Sequence, residues 1–297
     1  MKSKRSPADI LGIVLGVVSI ALVAASLVYL LGSRPLRHLR GPWWPRMERG
    51  WSGAWQSEEG TEEVTQSVQR LDVNNISGEV QVEGWDKDTV EVHYVKQARG
   101  SDALRDFRIE IQADGGTLRV RPVYAQPAGM RFGPVSFDIK VPSTLKEIKV
   151  HNVSGRIGVA NLSTDVSQEL ETVSGAIQSE RSGDLRAKSI SGAIDFSFAG
   201  ANLYAKSVSG KIEGKIRSLQ RGGSVELEAV SGSLDVAAFR GLDAQLRLQS
   251  VSGSISCSFP VQISEQKRTR LEGRIGAGSV PFSAKTVSGS INLSPLE

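Results

Sequence analysis

One tripeptide, (Val/Ile)-Ser-Gly, recurs along the chain and restricts its possible folds more than any other feature. It reads Ile76-Ser77-Gly78, then Val153-Ser154-Gly155, Val173-Ser174-Gly175, Ile190-Ser191-Gly192 and Val208-Ser209-Gly210. It returns as Val230-Ser231-Gly232, Val251-Ser252-Gly253 and Val287-Ser288-Gly289. From Ser154 on, the serines lie 20, 17, 18, 22, 21 and 36 residues apart, the last interval being about two periods. Self-similarity at a period of this size marks a repeat architecture.

Aligning the copies on their serine separates apolar from polar columns. Four residues before it stand Val150, Leu170, Ala187, Ala205, Leu227, Leu248 and Ala284, and three after it Ile157, Ile177, Ile194, Ile212, Leu234, Ile255 and Ile291. The column three before it is polar: His151, Glu171, Lys188, Lys206, Glu228, Gln249 and Lys285. Alternation of this kind is that of half-buried strands. Each repeat therefore reads as strand, Ser-Gly corner, strand, loop. One such unit cannot bury its apolar face alone, and stacking copies makes a continuous core. The expected fold is all-β: a parallel β-solenoid of two-strand rungs of about 17–22 residues over 143–297. At the corner the period-2 phase slips, so glycine is expected there for its freedom at positive φ, and stacked serines for hydrogen bonds to the next rung. On this reading Ser154, Gly155, Ser174, Gly175, Ser191, Gly192, Ser209, Gly210, Ser231, Gly232, Ser252, Gly253, Ser288 and Gly289 are structural corners. The long final gap is expected to hold one further rung with a degenerate corner near Gly273.

Residues 68–142 are β-rich but do not keep the period, and read as an irregular N-terminal sub-domain that covers one edge of the stack. Within it, Asp114-Gly115-Gly116 marks a hairpin.

Ahead of the β region, residues 10–31 carry no charge. As a helix they span ~33 Å, enough to cross a bilayer, and they exceed the apolar core of a cleavable signal. A transmembrane anchor at 10–32 after a short tail (1–9) is expected, which makes the lipid bilayer a partner and the protein a single-pass cell-membrane protein. Gly12 and Gly16, four apart, would let two such helices approach closely and form a homo-oligomer. Trp43, Trp44, Trp51 and Trp55 fall in the segment 33–67, read as a Trp-rich juxtamembrane stretch followed by an acidic linker over 56–67, the first two beside Pro42 and Pro45. They read as a membrane-interface belt, with a partner-binding patch or packing on the folded domain as alternatives. Basic residues flank the apolar run on both sides, so charge does not choose the orientation.

Those flanks also explain the net charge of +4. Residues 1–50 hold eight Lys/Arg and two acids; taking these from 36 and 32 leaves 28 basic and 30 acidic residues beyond. A folded domain near neutrality excludes nucleic acid as a partner.

No catalytic constellation is visible. The polar column three before the serine mixes signs, so it offers no carboxylate pair for hydrolysis. His93 and His151 lie on separate strands without a metal-ligand spacing, Asp86 and Asp88 form a solvated turn, and the single cysteine, Cys257, sits in a mostly apolar column. No cofactor, metal site or catalytic residue is expected. Lys267, Arg268, Arg270 and Arg274 form a basic run that reads as a solvated loop, or as a contact for an anionic polymer.

Three stretches together carry a resemblance: Gly84-Trp85-Asp86-Lys87-Asp88-Thr89-Val90-Glu91-Val92 following Ile76-Ser77-Gly78, then Phe137 to Pro142 (Phe-Asp-Ile-Lys-Val-Pro), then the repeated Val-Ser-Gly-x-Ile. In this order they resemble the bacterial putative-adhesin family of β-strand-repeat proteins, over roughly 68–294. The resemblance implies a membrane-tethered, extracytoplasmic repeat domain of the cell envelope, without catalytic residues to carry over. Two functions follow as expectations: a non-enzymatic envelope protein binding a surface polymer or protein, or a self-assembling scaffold or regulatory module of an envelope-stress response that faces the cytoplasm.

Overall fold

A computed structural model describes residues 54–124 and 132–296. They form one mixed sheet of 21 strands and one short helix.

The corners divide the sheet into two ladders that face each other across the core. Strands before a corner form the first ladder. It contains β2 (Arg70–Ser77), β8 (Glu147–Ser154), β10 (Ser167–Ser174), β12 (Leu185–Ser191), the second half of β13 (Ile194–Ser209), the second half of β14 (Ile212–Ser231), β20 (Val280–Ser288) and β16 (Ala244–Ser252). Strands after a corner form the second: β3 (Val80–Trp85), β9 (Ile157–Ala160), β11 (Ile177–Ser182), the first halves of β13 and β14, β15 (Leu234–Ala238), β21 (Ile291–Pro295) and β17 (Ile255–Cys257). Within these runs neighbours are parallel and in register, so that Ser154 pairs with Ser174 and Ser174 with Ser191. The apolar columns point between the ladders: Leu170, Ala187, Ala205 and Leu227 from one side, and Ile177, Ile194, Ile212 and Leu234 from the other, are all fully buried. Each larger aliphatic side chain so removed from water contributes ~1.5–3 kcal/mol.

The expectation of a parallel solenoid behind a transmembrane helix is corrected in both parts. The sheet is mixed, because hairpins at each end reverse the chain. At one end β5 (Phe107–Asp114) folds back on β6 (Thr117–Tyr124) through Gly115 and Gly116, whose φ angles are +55° and +76°. Beside them β4 (Val90–Arg99) lies antiparallel to both β1 (Trp55–Val64) and β7 (Phe132–Pro142). At the other end β18 (Gln262–Lys267) and β19 (Arg270–Ile275) form a hairpin, and β19 pairs antiparallel with β16. That hairpin occupies the place where a degenerate rung near Gly273 was expected. Nor does every rung end in a loop, since β13 and β14 run unbroken for 16 and 20 residues and absorb their bends as register shifts. As to the anchor, α1 (Ser101–Arg105) has five residues, and no helix among the described residues is long and apolar enough to cross a membrane. The single-pass membrane location therefore has no support. Residues 10–31, with Gly12 and Gly16, lie outside the described residues, as do Trp43, Trp44 and Trp51.

Stacking order departs from chain order at both ends. The first corner rung, β2–β3, lies between β6–β7 and β8–β9. The last, β20–β21, is inserted between β14–β15 and β16–β17.

One buried cation ties the first end together. Lys96 on β4 has a side chain only 7% exposed, and its Nζ donates to the carbonyls of Leu104 (3.1 Å) and Phe107 (3.0 Å). The same ammonium lies 2.9 Å from Glu58 Oε1 on β1 and 5.0 Å from the centre of the Phe107 ring. It thus joins β1, α1 and β5 to β4.

Candidate functional site

At the corners the serines themselves point outward: Ser154, Ser174, Ser191, Ser209, Ser231, Ser252 and Ser288 are exposed. The cross-rung hydrogen bonds come from the column two residues earlier. Ser189 Oγ donates to Gly175 O (3.3 Å), Ser207 Oγ to Gly192 O (3.2 Å), Ser250 Oγ to Gly289 O (3.1 Å) and Thr286 Oγ1 to Gly232 O (3.1 Å). Asn152 Nδ2 donates likewise to Gly78 O (2.8 Å). The glycines also answer to a different constraint. Positive φ occurs only at Gly78 and Gly155 among the corners. At Gly192 a Cβ would stand 1.9 Å from the carbonyl oxygen of Gly175, and at Gly210 2.1 Å from that of Gly192. Close stacking of backbone on backbone leaves no room for a side chain.

The outer face of the first ladder is charged and largely self-compensated. Glu171 is buried between His151 (Nδ1 to Oε2, 3.3 Å) and Lys188, and Lys206 Nζ lies 2.7 Å from Glu228. Burial pushes the Glu171 carboxyl up, but the hydrogen bonds from His151 and Lys188 outweigh it and hold the pKa at about 2, against an ordinary value of 4.5. A carboxylate depressed in the folded state stabilises it fully above the ordinary value and loses that contribution as pH falls toward the folded one. The stability deficit of Glu171→Gln should therefore be largest near neutrality and shrink as pH is lowered from about 4.5 to about 2. Chemical denaturation of both proteins across that range checks it; a deficit independent of pH would contradict it.

The outer face of the second ladder differs. An open groove of about 370 Å³ crosses β11, β13, β14, β15 and β21. At the strand spacing of about 4.8 Å, five strands make a track roughly 19 Å long. Along it, Gln178, Asp195, Glu213, Asp235 and Asn292 stand in register, one per strand. Four carboxylates (Glu180, Asp195, Glu213, Asp235) line the groove against one lysine, Lys215. Lys211, beside it, reaches Glu213 Oε2 (2.6 Å) and Asp235 Oδ2 (3.2 Å), and Ser233 Oγ donates to the same Asp235 oxygen (3.1 Å). Asp195 makes no hydrogen bond or ion pair among the described residues. Partial desolvation, and then the charge of Glu213, push its carboxyl above the ordinary value, against the opposing pull of Lys211 and Arg156. On the core side, the absence of a side chain at Gly214 makes room for the Phe196 ring.

This acidic row stands four residues after the corner serine. The polar column three before the serine mixes signs and does not reveal this row, although the same alignment holds it.

The other sequence candidates stay apart from the groove. His93 Nδ1 is 3.1 Å from Thr61 Oγ1, and Asp86 and Asp88 are exposed in a turn. Cys257 is half-buried on β17, where burial pushes its thiol pKa up. Trp55 is 51% exposed on β1, under the Arg99 guanidinium. Lys267, Arg268, Arg270 and Arg274 fall in the β18–β19 hairpin. Among the described residues no group of three or more His, Cys, Asp or Glu is placed to hold a metal ion.

Several solved structures are similar to the chain at low identity. A putative cell adhesion protein from Clostridium sporogenes is 11% identical, with a TM-score of 0.38, covering 81% of this chain and all of the other. A putative adhesin from Bacteroides fragilis is 13% identical, with a TM-score of 0.30, covering 80% and 97%. A putative lipid binding protein from Parabacteroides distasonis is 14% identical, with a TM-score of 0.29, covering 82% and 98%. No curated protein matches the chain. The Toastrack DUF4097 family matches residues 62–294, from within β1 to within β21, and the chain belongs to that family.

Proposed function

We propose that this is a non-enzymatic binding protein that holds an extended surface polymer, or an extended segment of a surface protein, along the groove of the second ladder. What supports this reading most is the in-register row from Gln178 to Asn292, which repeats one polar side chain per strand in the manner a repeating ligand requires. Binding by many weak contacts in a line needs neither a deep pocket nor an activated group. The excess of carboxylates selects for neutral or amine-bearing chains and against polyanions. Asp195, which forms no ion pair within hydrogen-bonding distance among the described residues and feels Lys211 and Arg156 only at longer range, is the carboxylate we assign to an incoming amine.

Titrating the full chain with glucosamine oligomers, their N-acetylated counterparts and oligogalacturonate tests this. The amine-bearing oligomers are expected to bind best, more weakly at high salt, and Asp195→Asn is expected to weaken them about two- to fivefold, the worth of one exposed ion pair. Equal binding of the polyanion, or no binding of any of the three, would count against the groove.

A further inference from the structure

The two ends of the sheet are unlike, and each has edge strands paired on one side only among the described residues. At one end β1 pairs with β4 alone and β5 with β6 alone; at the other β18 pairs with β19 alone and β17 with β21 alone, and the charge is concentrated on β1 and on the β18–β19 hairpin. Open edges present unpaired N–H and C=O groups, and proteins commonly guard them with charge. Here the charges have opposite signs. β1 carries Glu58, Glu59, Glu62 and Glu63 and no base. The β18–β19 hairpin, 262–275, carries Lys267, Arg268, Arg270 and Arg274 against Glu265 and Glu272. Part of this charge is used internally, since Glu58 meets Lys96, Lys267 meets Glu265, and Arg270 meets Glu265 and Glu272. Glu62, Glu63 and Arg268 form no ion pair among the described residues.

A second observation falls on the same two strands. The described residues include two large hydrophobic side chains that are strongly exposed, Trp55 at 51% and Ile263 at 52%. Trp55 begins β1, and Ile263 is the second residue of β18.

We infer that the occupant of the β1 edge is the β18 edge of a second copy of this chain, so that copies join head to tail. Four glutamates repel a second β1, which blocks head-to-head pairing, while the same charges attract the basic hairpin. Parallel pairing that set Trp55 beside Ile263 would place Glu59 opposite Lys267, the last residue of β18, and leave Glu62 and Glu63 just past the strand end, on the side of the turn that carries Arg268. Because the two surfaces differ, the contact is heterologous and leaves a free end on every copy, so growth continues beyond a dimer. This contact is separate from the groove, and neither depends on the other.

Sedimentation of the full chain over a range of concentration and salt tests the contact. At low salt the average mass is expected to exceed twice that of one chain and to rise with concentration; at high salt it should fall back to one chain. Glu62→Lys with Glu63→Lys, and separately Arg268→Glu with Arg274→Glu, should each remain single chains at low salt. Mixing these two variants should restore association, because each then offers the charge the other lacks. The mixture also guards against variants that fail to fold, which would not recover. A chain of single mass at every salt and concentration overturns the inference, as does a species that stops at two copies, or a mixture that stays dissociated.

Discussion

Gly192→Ala is expected to destabilise the protein by about 3 kcal/mol, although it adds one methyl group at the surface end of a rung. The methyl would stand 1.9 Å from the Gly175 carbonyl oxygen and 2.5 Å from its carbon, and neither belongs to a flexible side chain. Relief requires parting two strands that are hydrogen-bonded on both sides of the corner, by Gly175 N to Ser191 O and Ile177 N to Ala193 O. The melting temperature should fall by roughly 6–12 °C, at about 2–4 °C per kcal/mol for a chain of this size. Gly241→Ala supplies the control, because its Cβ would meet nothing nearer than 3.6 Å, and it should lie within about 0.5 kcal/mol of the parent. Equal melting of the Gly192 variant and the parent would show that the stacked carbonyls do not set the identity of the corner residue.

Lys96→Met should cost about as much, by a different route. Methionine keeps most of the volume but removes the donor, so the Leu104 and Phe107 carbonyls and the Glu58 carboxylate lose their shared partner. Each buried carbonyl left without its donor costs about 1–3 kcal/mol, and Glu58, half exposed, adds little. The loss should be local before it is global, because α1 is a single turn held at this end by the ammonium together with the buried Ala103 and Leu104. Hydrogen exchange should accelerate first over 101–114, with the ladders from β8 to β15 still protected. Uniform acceleration through the whole chain, or a loss below about 1 kcal/mol, would mean that the cation is incidental to the end of the sheet.

Much of the interior is legible in the sequence for a simple reason. Leu170, Ile177, Ala187 and Ile194 recur at intervals set by the corners, and a column that stays apolar through successive copies has one place to go, away from water. The ends are less legible because antiparallel returns depend on what the chain meets in space. Residues 262–275 carry no corner tripeptide, and whether they form another rung or fold back on β16 is decided by the exposed edge of β16. Lys96 illustrates a second limit. Alternation puts Lys96 in phase with the buried Val90, Val92 and Ala98, but the groups that satisfy its charge come from three elements elsewhere in the chain. The acidic row of the groove was visible in principle, since Asp195, Glu213 and Asp235 share one alignment column, but a column shows its charge only when it is compared at the right offset.

The interleaved order of the last rungs sets a problem of timing. During synthesis β16 is complete before β20 exists, and β14 then presents to β16 the same pattern of partners that β20 will later offer. In the finished molecule Ser288 stands between Ser231 and Ser252, each aligned with it in register. A nascent chain that pairs β14 directly with β16 would satisfy both edges and leave the last sixteen or so residues without a berth. The native arrangement therefore requires that this vacancy be held open, or reopened, until the C-terminal strands arrive. For a ladder assembled in the order of synthesis, the final step is an insertion rather than an addition.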